Sequence, residues 1–320
     1  MEAQLRGYLY GLSRQLHLEP VREREVLREL QGHVEDRAQE LIEKGMPPKD
    51  ALHQALKHFG QPKSIARGLY EVHSRGSWLD ISLAITPHLL FALLFAFNLW
   101  SEVLWVSVLL VATALVSFLG WMKDRPNWSY PWLGYCLIAP GISWVFALSA
   151  LAYGAWSLVT KGSLPMGIPV YIAALVYIPV AMWLGLWIFS KVVRRDWLLA
   201  SLTTLPFPFL TYWLLYFQSR RPLVESANPQ FTETGGAIAL VFLSLALVTA
   251  LFLRIGQRVI KAVLLLVATP ALAMLIWLSY EGNSGYMGML FFSMVSVILL
   301  LSPALLEHRL GGTEESLLPQ

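Results

Sequence analysis

Eight long apolar stretches constrain this chain more than any other feature. They cover residues 82–100, 103–122, 132–157, 168–190, 197–217, 235–253, 259–279 and 286–306. Within them there is no Asp, Glu or Arg, and the one Lys is Lys261, at the end of a stretch. A helix needs about 20 mostly apolar residues to cross the hydrocarbon of a bilayer. A charge at mid-bilayer costs about 2.5–3.5 kcal/mol on insertion scales. Apolar runs of that length, with charges confined to ends and connections, imply lipid as the solvent. The expected fold class is all-α: a small cytoplasmic helical domain followed by a polytopic bundle of about eight transmembrane helices.

Charge is distributed unevenly. Residues 1–76 hold 12 Lys/Arg and 11 Asp/Glu, whereas residues 77–320 hold 12 and 10. About half the charge thus lies in a quarter of the chain, which sets a domain boundary near residue 76. The expected organisation is a helical domain at 1–76, a transmembrane domain at 77–310 and a short cytoplasmic tail at 311–320. The net charge of +3 is too small and dispersed for a nucleic-acid partner. The single cysteine, Cys136, excludes an intrachain disulfide. Charges from Glu2 and Arg6 onward leave no short apolar core for a cleavable signal peptide, so the first span is expected to direct membrane insertion.

Basic residues set the orientation. With the N-terminus inside, the inner connections and span ends carry Lys123, Arg125, Lys191, Arg194, Arg195, Arg254, Arg258 and Lys261, and the outer ones only Lys161, Arg220 and Arg221. This positive-inside bias places both termini in the cytoplasm. Trp100, Trp105, Trp121, Trp128, Trp132, Trp156 and Trp197 fall near span ends, where an aromatic belt is expected.

Prolines 87, 140, 179, 206, 208, 270 and 303 lie inside spans. Each removes a backbone donor and frees a carbonyl that needs a partner. Broken helices around a transport site are one reading, but such sites recruit ionisable groups that these spans nearly lack. Kinks satisfied by neighbouring helices are the expectation. His88, beside Pro87, is the candidate intramembrane polar site. A relay or metal role needs a carboxylate or cysteine partner, so a neutral imidazole bonded to a helix carbonyl is expected instead. No catalytic, metal or cofactor motif is present, and no cofactor is expected. The outer connection from Gln218 to Thr234, with Arg220, Arg221, Glu225 and Glu233, reads as a solvated connector.

Residues 1–76 read as four helices. Leu5, Leu9, Leu12 and Leu16 share one face of the first. The second, over 21–44, carries an apolar stripe that includes Val26, Leu30, Val34 and Ala38, and Gly45 is expected to end it. The third starts near Pro47–Pro48, runs to Phe59 and stops at Gly60, and Pro62 opens the fourth. Val26, Leu30, Val34 and Phe59 form the candidate interaction surface. His33, His53 and His58 lack the spacing of a zinc site.

The segment EREVLRELQGHVEDRAQELIEKGMPPKDALHQALKHFGQPKSIARGL, with its Ala51-Leu52 and Ala55-Leu56 pairs and Phe59-Gly60-Gln61-Pro62, resembles the HAAS or permease-prefix type of helical domain. The resemblance covers about residues 1–72. It implies a module ahead of membrane segments in bacterial proteins of permease-like or signalling systems, often associated with PadR-like regulators. Permeases of the export-complex type carry a large domain between the first two spans, where this chain has only a turn around Ser101–Glu102. The expected function is therefore regulatory or sensory. The implied partners are the lipid bilayer, a cytosolic or membrane protein bound through residues 1–76, and a second copy of the chain. The alternative is a transporter or permease subunit for an uncharged or lipid-like substrate.

Overall fold

The structure, a computed structural model, describes residues 2–210, 230–279 and 285–315. The described residues are all-helical, with no strand. Four helices form the N-terminal domain: α1 (Glu2–Leu16), α2 (Pro20–Glu43), α3 (Pro48–Phe59) and α4 (Pro62–His73). Pro20, Pro48 and Pro62 each open a helix at a position whose N–H would lack a partner anyway. Gly45 closes α2 with φ +91°, and the bonds Gly45 N–H to Ile42 O (2.9 Å) and Met46 N–H to Leu41 O (3.1 Å) make a Schellman motif.

The small domain is held by two apolar clusters. Leu12, Leu16, Val26, Ala66 and Tyr70 join α1, α2 and α4 in one. Leu5, Val34, Ala38, Leu52 and Ala55 join α1, α2 and α3 in the other. At about 1.5–3 kcal/mol per fully buried large apolar side chain, these clusters outweigh the exposed ion pairs on α2, which water screens.

The linker after α4 feeds α5 (Trp78–Ala96) through a capping box. Ser77 Oγ accepts from the Asp80 amide at 3.1 Å, and the Asp80 carboxylate accepts from the Ser77 amide at 2.9 Å. The remaining helices are α6 (Val103–Met122), α7 (Ser129–Lys161), α8 (Ile168–Arg195), α9 (Trp197–Thr204), α10 (Gln230–Arg254), α11 (Arg258–Ser279) and α12 (Gly285–Glu315). α5 and α10 pack along each other at the centre, joined through Ile81, Ala84, Phe95, Phe242 and Leu245 to the N-terminal part of α7 and to α9. α6 and α8 lie outside, and only 6% of the α8 apolar window is buried. Leu175, Val176, Trp183 and Leu186 stand open on α8, an exposed apolar face compatible with a membrane-spanning helix.

Among the described residues five helices are long and apolar enough to cross a membrane: α5, α6, α8, α10 from Gly236 and α11 to Leu275. Two shorter apolar segments, Trp197–Leu210 and Phe292–Leu306, fall below that length. The expected third span lies in α7, 33 residues long. The expected fifth span continues beyond residue 210, outside the described residues, as does most of the Gln218–Thr234 connection. α12 runs on to Glu315, so helix extends into the expected tail.

Two of the in-span prolines have a visible solution. Pro87 frees the Leu83 carbonyl, and the Trp132 indole N–H donates to it at 2.8 Å. Pro303 frees the Leu299 carbonyl, which accepts from Ser302 Oγ at 2.8 Å. Trp132 is therefore a correction to the aromatic belt: it is buried among helices and satisfies a backbone acceptor. Other tryptophans pair with cations at helix ends, Trp187 with Lys191 at 3.8 Å and Trp78 with Arg254 at 5.0 Å.

Candidate functional site

The N-terminal domain meets the helical bundle at a charged junction that sequence spacing does not reveal. Asp196 ends α8 and caps α9, accepting from the Leu198 amide at 3.0 Å. The same carboxylate pairs with Arg258, which opens α11, at 2.9 Å. One turn on, Lys261 is buried and donates to the Tyr70 hydroxyl of α4 at 3.1 Å. Its ammonium lies 5.1 Å from the Tyr70 ring centroid and 5.0 Å from that of Phe252, while the Arg258 guanidinium lies 5.5 Å from Tyr70. A buried cation is tolerable when aromatic faces and a nearby carboxylate replace its water.

Backbone contacts reinforce the junction. The Gly76 amide donates to Leu253 O at 2.9 Å, and Ser74 Oγ donates to Gly256 O at 3.2 Å. A methyl placed on Gly256 would collide with the Glu71 carbonyl oxygen, so only glycine permits this approach. Arg22 ties α2 to the linker by donating to His73 O at 2.9 Å and Arg75 O at 3.2 Å. Arg24 reaches Asp124, between α6 and α7, at 3.1 Å, although this exposed pair contributes little.

His17 sits where α1 turns into α2, with φ +48°, and its Nδ1 lies 3.3 Å from the Arg195 carbonyl oxygen. A carbonyl only accepts, so the proton is on Nδ1. Burial holds this imidazole below its ordinary pKa, with Arg258 adding to the effect and Asp196 opposing it. Burial also pushes the Glu19 carboxyl up, against the pull of Arg195. Tyr70 is raised by burial and then by Asp196, so it remains a neutral hydroxyl able to accept from Lys261. Arg195 donates to the Arg125 carbonyl, to Tyr130 Oη at 2.8 Å and to Asn127 Oδ1 at 3.1 Å, pinning the end of α8 to the turn before α7.

A second polar cluster lies inside the bundle. His88 is 1% exposed, with Nδ1 2.7 Å from Tyr135 Oη and Nε2 2.9 Å from Thr249 Oγ1. These bonds join α5, α7 and α10. The expected helix-carbonyl partner is thus corrected: two hydroxyls, each able to donate or accept, satisfy both ring nitrogens. Tyr135 is itself clamped by Phe91, stacked at 4.3 Å.

The structure buries two of the expected interaction residues and leaves the other two half-buried. Val26 and Val34 are buried in the small domain, and Leu30 and Phe59 pack against its two clusters. The correction has a simple cause, since an amphipathic stripe looks the same in sequence whether it faces its own core or a partner. Cys136 is half-buried. His33 lies 3.9 Å from Glu29 on exposed α2, and His53 and His58 are exposed. Among the described residues no group of three or more His, Cys, Asp or Glu is arranged to hold a metal ion.

Four helices with these stops and this apolar register agree with one domain family, whose match covers residues 7–68. Those residues are a HAAS domain. The match covers α1 from Gly7 onward, α2, α3 and the first half of α4, so Tyr70, Ser74 and Gly76 follow shortly after the matched segment. Comparison with curated proteins and with solved structures yields no match. What the junction can do chemically is mechanical: it holds the small helical domain against the apolar helices through charge, aromatic faces, one backbone–backbone bond and one serine bond to a backbone carbonyl.

Proposed function

We propose that this chain is a multi-pass membrane protein of regulatory or sensory type, in which the HAAS domain relays the state of the helical bundle to a protein partner. In this reading the bundle has about eight spans, lies in a bacterial inner membrane and keeps both termini and the HAAS domain in the cytoplasm. The partner binds the HAAS domain, and a second copy of the chain is a further candidate partner. The observation that carries the reading is the Asp196–Arg258 pair with Lys261 on Tyr70. These groups connect the start of an apolar helix to the last HAAS helix, so a tilt of α11 must be felt by α4. Such a polar junction has discrete alternatives, paired or solvated, which a two-state relay needs.

The test uses the full-length chain with Cys136→Ser and spin labels at His53 and Lys191, both exposed. The relay reading predicts that the distance distribution shifts between proteoliposomes of short-chain and long-chain lipids. An identical distribution in both contradicts it. The buried His88–Tyr135–Thr249 cluster favours a second reading, transport of an uncharged or lipid-like substrate, because polar groups at bundle depth mark substrate paths. Solute or lipid flux in the same proteoliposomes, lost on His88→Ala, supports that reading, and absence of flux opposes it.

A further inference from the structure

Beside the junction an open groove of about 980 Å³ separates α4 from the start of α11. It lies at the upper end of the roughly 300–1,000 Å³ typical of ligand sites. Lys63 and Arg67 line one wall, Arg258 the other, and Gln61 and Ser64 add neutral donors. Glu71 is the one carboxylate in the lining, against those three cations. Lys63 and Arg67 are exposed and have no ion-pair partner among the described residues. Arg258 uses Nη2 on Asp196, and its side chain keeps 27% of its surface open. A guanidinium that shares only one of its N–H groups with a carboxylate has others to offer, and an anionic oxygen is their strongest acceptor.

The position narrows the ligand. The apolar window of α11 begins at Arg258, so this wall of the groove is the first turn of a candidate span and stands at headgroup depth. We propose that the groove binds a phosphate-bearing anion, in the form of the headgroup phosphate of an acidic membrane lipid. Arg258 holds one phosphate oxygen from the bundle side, and Lys63 and Arg67 close on the remaining charge from the HAAS side. Occupancy ties the HAAS domain to the leaflet next to its docking surface. The inference rests on α11 spanning the membrane and not on any movement of the HAAS domain. A spin-label distance that never shifts would leave it standing.

Full-length protein in neutral maltoside–phosphatidylcholine micelles is titrated with fluorescent phosphatidylglycerol. Saturable binding is expected, weakened about 25-fold in K63Q/R67Q, from about 1 kcal/mol for each basic residue near a lipid surface. The control K49Q/K57Q removes two exposed HAAS cations outside the groove and keeps the affinity within about twofold. Both pairs are exposed, so thermal unfolding should match wild type and exclude misfolding as the cause. Unchanged binding in K63Q/R67Q, or equal loss in both variants, overturns the site. Displacement of the lipid by millimolar inorganic phosphate overturns the headgroup form and assigns the groove to a free phosphate. No displacement supports the lipid.

Discussion

Lys261 shows how one residue can change meaning between sequence and structure. At the end of an apolar stretch it reads as a positive-inside anchor; in the structure it is buried on the ring and hydroxyl of Tyr70, 191 positions away. Tyr70→Phe keeps the ring and removes the acceptor. A hydrogen bond to a charged group contributes about 1.5–3 kcal/mol, so this variant should unfold at a lower temperature, read by tryptophan fluorescence. Unchanged melting would show that the hydroxyl carries nothing. His17 gives a pH signature. Its folded-state pKa lies below 6.5, so the unfolded chain binds the extra proton first, and stability is lost as pH falls from about 6.5 toward the folded value. Glu19 has the opposite sign, its raised pKa making the folded state lose stability as pH rises above 4.5. The His17 contribution is therefore read as the difference between wild type and His17→Asn. The expected difference is a melting temperature that falls on acidification below about pH 6.5 in wild type and less steeply in the variant. Parallel pH curves would remove His17 from the account.

At the scale of elements, the punctuation of α2, α3 and α4 is legible because Pro opens each helix and the glycines at 45 and 60, with φ of +91° and +93°, follow the ends of α2 and α3. The leucines of α1 likewise point inward as their spacing implies. The stripe on α2 is legible as apolar, but its partner is not. Val26 and Val34 belong to the HAAS core because α1, α3 and α4 already cover them. Proline positions are visible in the sequence, yet the donors that repair them are not, since Trp132 lies 49 residues from Leu83. Trp132→Phe leaves that carbonyl buried without its donor. The expected cost is about 1–3 kcal/mol, seen as faster thermal inactivation of the detergent-solubilised protein. Wild-type behaviour would mean that the Leu83 carbonyl has another acceptable partner. His88 follows the same logic: its two hydroxyl partners come from helices that only tertiary packing brings together.

For the whole molecule, hydropathy and charge placement carry the all-helical class and the presence of apolar helices long enough for a bilayer. They do not carry the contact between the HAAS domain and the bundle. That contact draws on Tyr70, Asp196 and the neighbouring Gly256, Arg258 and Lys261, whose types are unremarkable one by one and which, apart from that last short stretch, lie far apart in the sequence. Gly256 has no sequence signal beyond being a glycine in a short connection, and its role appears only when the Glu71 backbone is seen against it. A relay between bundle and HAAS domain needs this docking. Amide hydrogen exchange of the full-length protein in bilayer discs tests it most directly, at the Gly76 amide, which donates across the junction to Leu253 O. Docking predicts slow exchange at Gly76 in wild type and at least about tenfold faster exchange in Gly256→Ala, with α2 and α3 unchanged. Fast exchange at Gly76 in the wild-type protein would contradict it.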